Sequence, residues 1–243
     1  MNPSQNPSRE LSLNKAALIA GLGVLLMALT VPIVEFYIFP KLINYANGQA
    51  TVTNIVNNRR LFSTAIFIHF VTIICDVTIA WALYVFLKPV HPYFALLVSL
   101  FRLVYASFNI VALLNLIQVL SILTAQKYFT VIQPAEVNDQ VLFYVRSFHM
   151  EWRFGLIFFG FYMVLLSVLT LKADYVPKFV SLCAFIAGLG YLIENLKYFF
   201  YPSIDTGFLW FTFFAELIMM VWLLKVGFQR QAIRGNSRNA NDT

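Results

Sequence analysis

Residues 61–123 read LFSTAIFIHFVTIICDVTIAWALYVFLKPVHPYFALLVSLFRLVYASFNIVALLNLIQVLSIL. The prediction of the fold starts from this stretch. Two long apolar segments flank a short turn from Lys88 to Pro92 that contains two prolines. A helix needs about 20 apolar residues to cross the hydrocarbon of a bilayer, and both segments exceed that length. The stretch therefore predicts two membrane-spanning helices, 61–87 and 93–123, packed side by side as an antiparallel hairpin.

Four further apolar segments predict an all-α, polytopic integral membrane protein, a bundle of six transmembrane helices. The predicted spans are about 16–36, 61–87, 93–123, 152–171, 178–201 and 208–226. They form one domain, 16–226, between a polar N-terminal tail, 1–15, and a basic, Asn-rich tail, 227–243, both predicted to be disordered. A signal peptide is the alternative for the first segment, but its apolar run is too long and no small-x-small cleavage site follows it.

Two longer connectors are predicted on the side opposite the termini. In the first, 37–60, apolar residues three and four apart favour a short helix at the membrane surface. The second, 124–151, becomes semi-apolar from Val137, and that half is predicted to continue as helix into the fourth span. Pro32 is predicted to kink the end of the first span, because a proline removes a helix hydrogen bond.

The composition agrees with lipid as the solvent. The chain is 60% hydrophobic and 12% charged, with a mean hydropathy of +0.75, whereas soluble domains are roughly 45–50% apolar and about 25% charged. The net charge of +6 does not indicate nucleic acid, because the basic residues are scattered at helix ends and in the C-terminal tail, where they suit anionic headgroups. Cys75 and Cys183 lie in apolar runs without CxxC spacing, so neither a disulfide nor a zinc site is predicted.

The distribution of Lys and Arg predicts the orientation. The side with both termini carries nine, three of them in two very short loops: Arg9, Lys15, Lys88, Lys172, Lys178, Lys225, Arg230, Arg234 and Arg238. The other side carries seven: Lys41, Arg59, Arg60, Lys127, Arg146, Arg153 and Lys197. Because basic loops stay on the cytoplasmic side, both termini are predicted to be cytoplasmic.

Three charged residues fall at membrane depth and are predicted to meet. Asp76, Arg102 and Glu216 lie eleven, nine and ten residues from the cytoplasmic ends of their spans, which places all three roughly 14–17 Å deep. A charge there costs about 2.5–3.5 kcal/mol on insertion scales, so opposite charges at equal depth are expected to pair. Two acids and one base leave two interpretations: an ionic latch that fixes helix packing, or a site for a proton or cation.

A second polar group is predicted near the outer rim, as an outward-open pocket lined by Glu35, His69, Tyr105, Asn109, Glu194 and Asn195. A metal site would need His69 and His149 to converge with one or two of Glu35, Glu194 and Glu151. No spacing such as HExxH supports that alternative, so no metal is predicted. The chain also lacks a Walker loop, GxGxxG, a GxSxG elbow and a lipid-attachment motif, and no cofactor is predicted.

Four stretches resemble an uncharacterised, mostly bacterial family, domain of unknown function 4386. The most specific is DVTIAWALYVFLKPVHPYFALLVSLFRLVYASF, Asp76–Phe108, and the others are Tyr37–Phe62, Tyr175–Ile193 and Ala215–Gly227. The resemblance implies a six-helix integral membrane fold in a bacterial plasma membrane and supports Asp76, Arg102 and Glu216 as pattern positions. It implies no activity, and it is weakest in 124–151, so His149 and Glu151 gain no support from it.

The function predicted from these features is a small membrane module that binds or transports a proton, an ion or an apolar small molecule. One alternative is an intramembrane, lipid-acting hydrolase that works from the outer polar group. Another is a structural or accessory membrane subunit without a ligand. No catalytic residue is predicted and the enzyme class is left open, with a non-enzyme favoured. The bilayer is the one partner predicted, and nothing in the sequence fixes the oligomeric state.

Overall fold

The computed structural model describes residues 11–125, 134–201, 203–207 and 212–229, and this part of the chain is helical without a β-strand. The helices are α1 (Leu13–Ile33), α2 (Phe39–Leu42), α3 (Gly48–Asn57), α4 (Arg59–Leu87), α5 (Pro92–Ala125), α6 (Pro134–Thr170), α7 (Lys178–Phe200) and α8 (Thr212–Phe228). A π-helical turn, Val34–Ile38, joins α1 to α2. The hairpin predicted from Leu61 to Leu123 is present as α4 and α5.

Five described segments are long and apolar enough to cross a membrane, which indicates an integral, multi-pass membrane protein. They are Leu13–Leu42, Arg59–Leu87, Pro92–Thr124, Ala135–Thr170 and Lys178–Phe200. The sixth predicted span, 208–226, lies partly outside the described residues, and its described part is the 17-residue helix α8. Six spans therefore stay a prediction. The tail residues 1–10 and 230–243 also lie outside the described residues.

The first span is longer at both ends than the predicted 16–36. The helix begins at Leu13, where the Ser12 hydroxyl accepts a hydrogen bond from the Lys15 N–H, so the last residues of the predicted tail 1–15 are helical. At the other end the helix continues through the π-helical turn to Leu42. The predicted connector 37–60 was wrong in this part, because Ile38, Phe39 and Leu42 are buried and the helix continues through them.

The second predicted connector, 124–151, is described at 124–125 and from Pro134, and its helical part begins three residues earlier than the predicted Val137. Helix α6 begins at Pro134 and runs without interruption into the predicted fourth span, 152–171. The predicted helical continuation from Val137 is confirmed. Its cause is a stripe of buried side chains at helical spacing, Val137, Val141, Val145 and Phe148.

The short helix predicted in the first connector is confirmed as α3. The Asn47 side chain accepts a hydrogen bond from the Ala50 N–H at 3.0 Å and caps its first turn. Thr51 and Ile55 are buried, and α3 packs against the beginning of α6. Its placement at a membrane surface stays a prediction.

The six long helices form a closed ring. Each packs on the next along the chain, α4 on α5, α5 on α6, α6 on α7 and α7 on α8, and α1 closes the ring between α4 and α8. We call the end with Leu13 and Phe228 the inner end and the opposite end the outer end. One side of each of the six helices therefore faces the axis of the ring.

Glycines allow two of the helix pairs to approach closely. A Cβ on Gly188 of α7 would lie 2.8 Å from the backbone nitrogen of Val164 and 2.9 Å from the Gly160 oxygen, both in α6. At the inner end, a Cβ on Gly227 of α8 would lie 2.7 Å from the Leu18 Cα in α1. Small residues at such crossings allow backbones to pack in direct contact.

The inner end is also held by polar contacts to helix carbonyls. The Asn14 side-chain amide donates to the Val226 oxygen at 2.9 Å and to the Gln229 oxygen at 3.2 Å. These bonds join the beginning of α1 to the end of α8, where carbonyls lack helical partners.

A Tyr175→Phe substitution is expected to lower the free energy of unfolding by about 1 kcal/mol. The Tyr175 hydroxyl donates to the Phe86 oxygen at 2.7 Å near the end of α4, and burial raises the pKa of Tyr175, so the phenol stays a donor. Phenylalanine keeps the edge-to-face contact with the Phe86 ring but leaves the carbonyl without this donor. Denaturant unfolding in detergent measures the change, and Tyr93→Phe, at an 81% exposed tyrosine, is the matched control expected to show none.

Candidate functional site

The centre of the ring encloses a cavity of about 640 Å³, which we call the chamber. All six long helices contribute to its walls, which are mainly apolar and aromatic. Its charged and polar lining residues are Glu35, His69, Thr72, Arg102, Tyr105, Asn109, Trp152, Tyr162, Tyr191 and Glu216. A mainly apolar cavity with a few convergent polar groups is the usual form of a small-molecule site.

Asp76 and Arg102 form an ion pair in the wall of the chamber. The Arg102 Nη2 lies 2.7 Å from the Asp76 Oδ1, and the residues are 3% and 0% exposed respectively. The Arg102 Nη1 also donates to the Tyr162 hydroxyl at 2.9 Å, and the guanidinium lies over the Tyr162 ring. The structure thus brings together the two opposite charges of the α4–α5 hairpin.

Glu216 lines the same chamber but does not bond Arg102. Its Oε1 accepts a hydrogen bond from the Tyr191 hydroxyl of α7. Within the described residues, no Lys, Arg or His nitrogen lies within 4 Å of the Glu216 carboxylate. The three predicted charges therefore divide into a closed pair, Asp76–Arg102, and a separate carboxyl group that borders the chamber.

A second group of polar side chains, the outer cluster, lies at the outer end of the chamber and consists of Glu35, His69, His149 and Tyr45. The Glu35 Oε1 is 3.5 Å from the His69 Nε2, and its Oε2 is 3.7 Å from the His149 Nε2. The Tyr45 hydroxyl lies 3.2 Å from the His149 Nδ1. Burial, followed by the Glu35 charge, raises the pKa of Tyr45, so its hydroxyl stays protonated.

The π-helical turn places Glu35 in this cluster. Pro32 has no N–H to donate, and the Val34 N–H is shared between the oxygens of Thr30 and Val31. The wider turn begins directly after this irregularity. The kink predicted at Pro32 stays a prediction; a change of helix type follows the proline, and such π-helical turns are frequent at functional sites.

The outer cluster brings together three of the residues considered for a metal, Glu35, His69 and His149. Within the part of the chain that the structure describes, no group of three or more His, Cys, Asp or Glu residues is arranged to hold a metal ion. Glu151 is turned elsewhere, and its Oε2 accepts from the Asn115 side chain at 2.6 Å.

The predicted outer pocket divides into two parts. Glu35, His69, Tyr105 and Asn109 line the chamber, whereas Glu194 and Asn195 do not. Glu194 pairs with Lys197 at 3.4 Å and accepts a hydrogen bond from Thr206. The Asn195 amide donates to the Tyr191 oxygen of its own helix. Position near a helix end therefore does not by itself place a residue in the chamber wall.

The sequence analysis did not predict that tyrosine hydroxyl groups form hydrogen bonds with the charged side chains. Tyr162 and Tyr191 bond Arg102 and Glu216, and Trp152 lines the chamber beside Tyr105. Tyr and Trp inside apolar spans usually have a hydrogen-bond partner when they are buried, and this signal was present in the sequence. His149 lies four residues after Val145 on the buried stripe of α6, which would have predicted its inward position.

Comparison with known proteins agrees with the resemblance. A family described as Domain of unknown function (DUF4386) matches residues 19–227, which include the chamber-lining residues of all six long helices. An archaeal protein from Archaeoglobus fulgidus with the name "Uncharacterized protein" is 34% identical over 158 residues, covering 65% of this chain and 80% of that protein. No solved structure matches the chain.

Proposed function

This chain belongs to the family described as Domain of unknown function (DUF4386), and since that family brings no activity, we propose a function from the chamber: the protein is a membrane module that binds an apolar small molecule at the centre of its helix ring. The chamber carries this proposal. Its volume of about 640 Å³ lies within the range of roughly 300–1,000 Å³ that is typical of small-molecule sites.

A route between the chamber and the lipid supports the proposal. Two lining residues, Phe36 near the outer end of α1 and Phe214 in α8, are 82% and 47% exposed. This exposure supports an opening of the chamber to the lipid between these two helices. Close contacts of α1 with α8 occur at the inner end, at Gly21, Gly227 and Asn14. An apolar ligand would enter from the bilayer near the outer end.

The proposal includes six spans with both termini in the cytoplasm of the plasma membrane. Helix α8 closes the ring and is apolar, and its 17 described residues correspond to about 26 Å of helix. The distribution of Lys and Arg supports this orientation.

An Ala28→Phe substitution is expected to reduce binding of a neutral apolar probe about tenfold or more. Ala28 lines the chamber from α1, so a phenyl ring there would occupy space that the ligand needs. The measurement is the fluorescence titration of N-phenyl-1-naphthylamine against protein in lipid nanodiscs, with empty nanodiscs subtracted.

Ala135→Phe is the control for this experiment, because it makes the same change at an exposed position near the start of α6. We expect that variant to bind the probe as the unsubstituted protein does. Equal binding by Ala28→Phe and the unsubstituted protein would place the probe outside the chamber and contradict the proposal.

A structural role without a ligand is the second candidate, and the buried Asp76–Arg102 pair favours it. A closed ion pair needs no ligand to be neutral. Saturable probe binding that is lost in Ala28→Phe would decide against this candidate.

A further inference from the structure

The chamber has an unbalanced acidic group. Asp76 and Arg102 neutralise each other at 2.7 Å, and the Arg102 Nη1 is occupied by the Tyr162 hydroxyl. Glu216 has the Tyr191 hydroxyl as its described hydrogen-bond partner. A carboxylate at membrane depth is costly without a counter-charge. A proton or a positively charged ligand has to supply that charge.

Four aromatic rings in mutual contact line the chamber, and one of them, Tyr191, bonds this carboxyl group. The Tyr191 ring meets the Phe159 ring edge-to-face at 5.1 Å. Phe159 also contacts Tyr105 at 4.9 Å and Tyr162 at 5.3 Å. All four rings line the chamber; the Arg102 guanidinium already lies over the rings of Phe159 and Tyr162, whereas no described cation lies over those of Tyr191 and Tyr105. The faces of aromatic rings attract cations, and the attraction is stronger where water is excluded.

From these observations, and resting on the proposed function, we infer that the ligand of the chamber is a lipophilic organic cation, such as an alkylated amine, with its charged nitrogen at Glu216. The Glu216 carboxylate, with the rings of Tyr191 and Tyr105, would hold the charged group. The apolar side chains towards the inner end, among them Leu83, Leu166 and Leu223, would hold the hydrocarbon part. The charged group and the hydrocarbon part of such a ligand would thus each lie in a matching region of the same cavity.

An anionic ligand does not fit this arrangement. Arg102 is the one Lys or Arg among the described lining residues, and Asp76 already bonds it. The Arg102 Nε has no hydrogen-bond partner, but an anion there would share the guanidinium with Asp76. Displacing Asp76 would leave a completely buried carboxylate without a counter-charge, which is costly.

Two probes of equal shape and opposite charge test the inference. Tetraphenylphosphonium and tetraphenylborate are each measured by equilibrium dialysis against the unsubstituted protein in nanodiscs of neutral lipid, with empty nanodiscs subtracted. We expect the cation to bind about tenfold or more tightly than the anion. We expect Glu216→Gln to remove this preference and Glu136→Gln, the same change at an exposed residue of α6, to retain it.

The outcomes separate this inference from the proposed function. Equal binding of both probes, or a preference for the anion, would overturn the inference while leaving an apolar binding chamber in place. A cation preference that persists in Glu216→Gln would also overturn it, because the carboxylate would not be its source. Binding of neither probe would overturn the inference and contradict the proposed function as well. The charge preference of the unsubstituted protein is informative even if a variant fails to fold.

Discussion

Replacing Arg102 with methionine is expected to lower the free energy of unfolding by about 3–5 kcal/mol, which is the usual cost of removing one partner of a buried ion pair. The substitution keeps a long apolar side chain but leaves the Asp76 carboxylate, which is 0% exposed, without its counter-charge. It also removes the donor to the Tyr162 hydroxyl. Unfolding by SDS in mixed micelles, followed by circular dichroism, measures the loss.

Two further variants identify the origin of that loss. Arg60→Met makes the same change at an exposed position, and we expect it to change the free energy by less than about 0.5 kcal/mol. The double variant Asp76→Asn with Arg102→Met removes both charges, and we expect it to recover most of the stability. If the double variant is as unstable as Arg102→Met alone, the uncompensated charge of Asp76 is not the cause.

A Gly188→Ala substitution is expected to destabilise the protein by about 1–3 kcal/mol, although alanine is normally the better helix residue. Its Cβ would lie 2.8 Å from the Val164 nitrogen and 2.9 Å from the Gly160 oxygen. Both atoms belong to the α6 backbone, so the new methyl group can be accommodated only if α6 and α7 move apart. The same SDS unfolding experiment measures the effect.

Gly23→Ala is the matched control for Gly188→Ala. A Cβ on Gly23 would meet the Ile79 side chain, with its Cγ1 at 2.7 Å and its Cδ1 at 3.0 Å. The branched Ile79 side chain has to shift, but neither helix backbone does, so we expect a smaller loss than in Gly188→Ala. Equal losses in both variants would mean that the α6–α7 backbone contact does not limit the packing.

The hairpin shows what could be predicted from the sequence. The two prolines between Lys88 and Pro92 fixed the ends of α4 and α5, and the cost of buried charge predicted the pairing of Asp76 with Arg102. Both arguments depend on residues close in the chain, or on a depth that can be counted along a helix. The semi-apolar run from Val137 predicted the helical half of the second connector in the same way.

The partner of Glu216 could not be predicted by the same argument. Counting residues gives the depth of a side chain, but its direction depends on how each helix is rotated in the ring, and that is set by packing between distant segments. The Glu216 carboxylate accepts from Tyr191 of α7, not from Arg102. The same uncertainty explains why Glu194 and Asn195 were assigned to the outer pocket and Glu151 was considered for a metal.

The π-helical turn, Val34–Ile38, fixes an angular relationship between two parts of one wall. Successive residues of an α-helix are about 100° apart around its axis. If this turn kept its five residues but took ordinary α-helical pitch, the segment on one side would rotate by about that angle against the other. Either Glu35 would lose its contacts with His69 and His149, or Phe39 and Leu42 would become exposed. The π-helical turn therefore allows one continuous helical segment to direct Glu35 towards the histidines and to keep Phe39 and Leu42 buried at the same time.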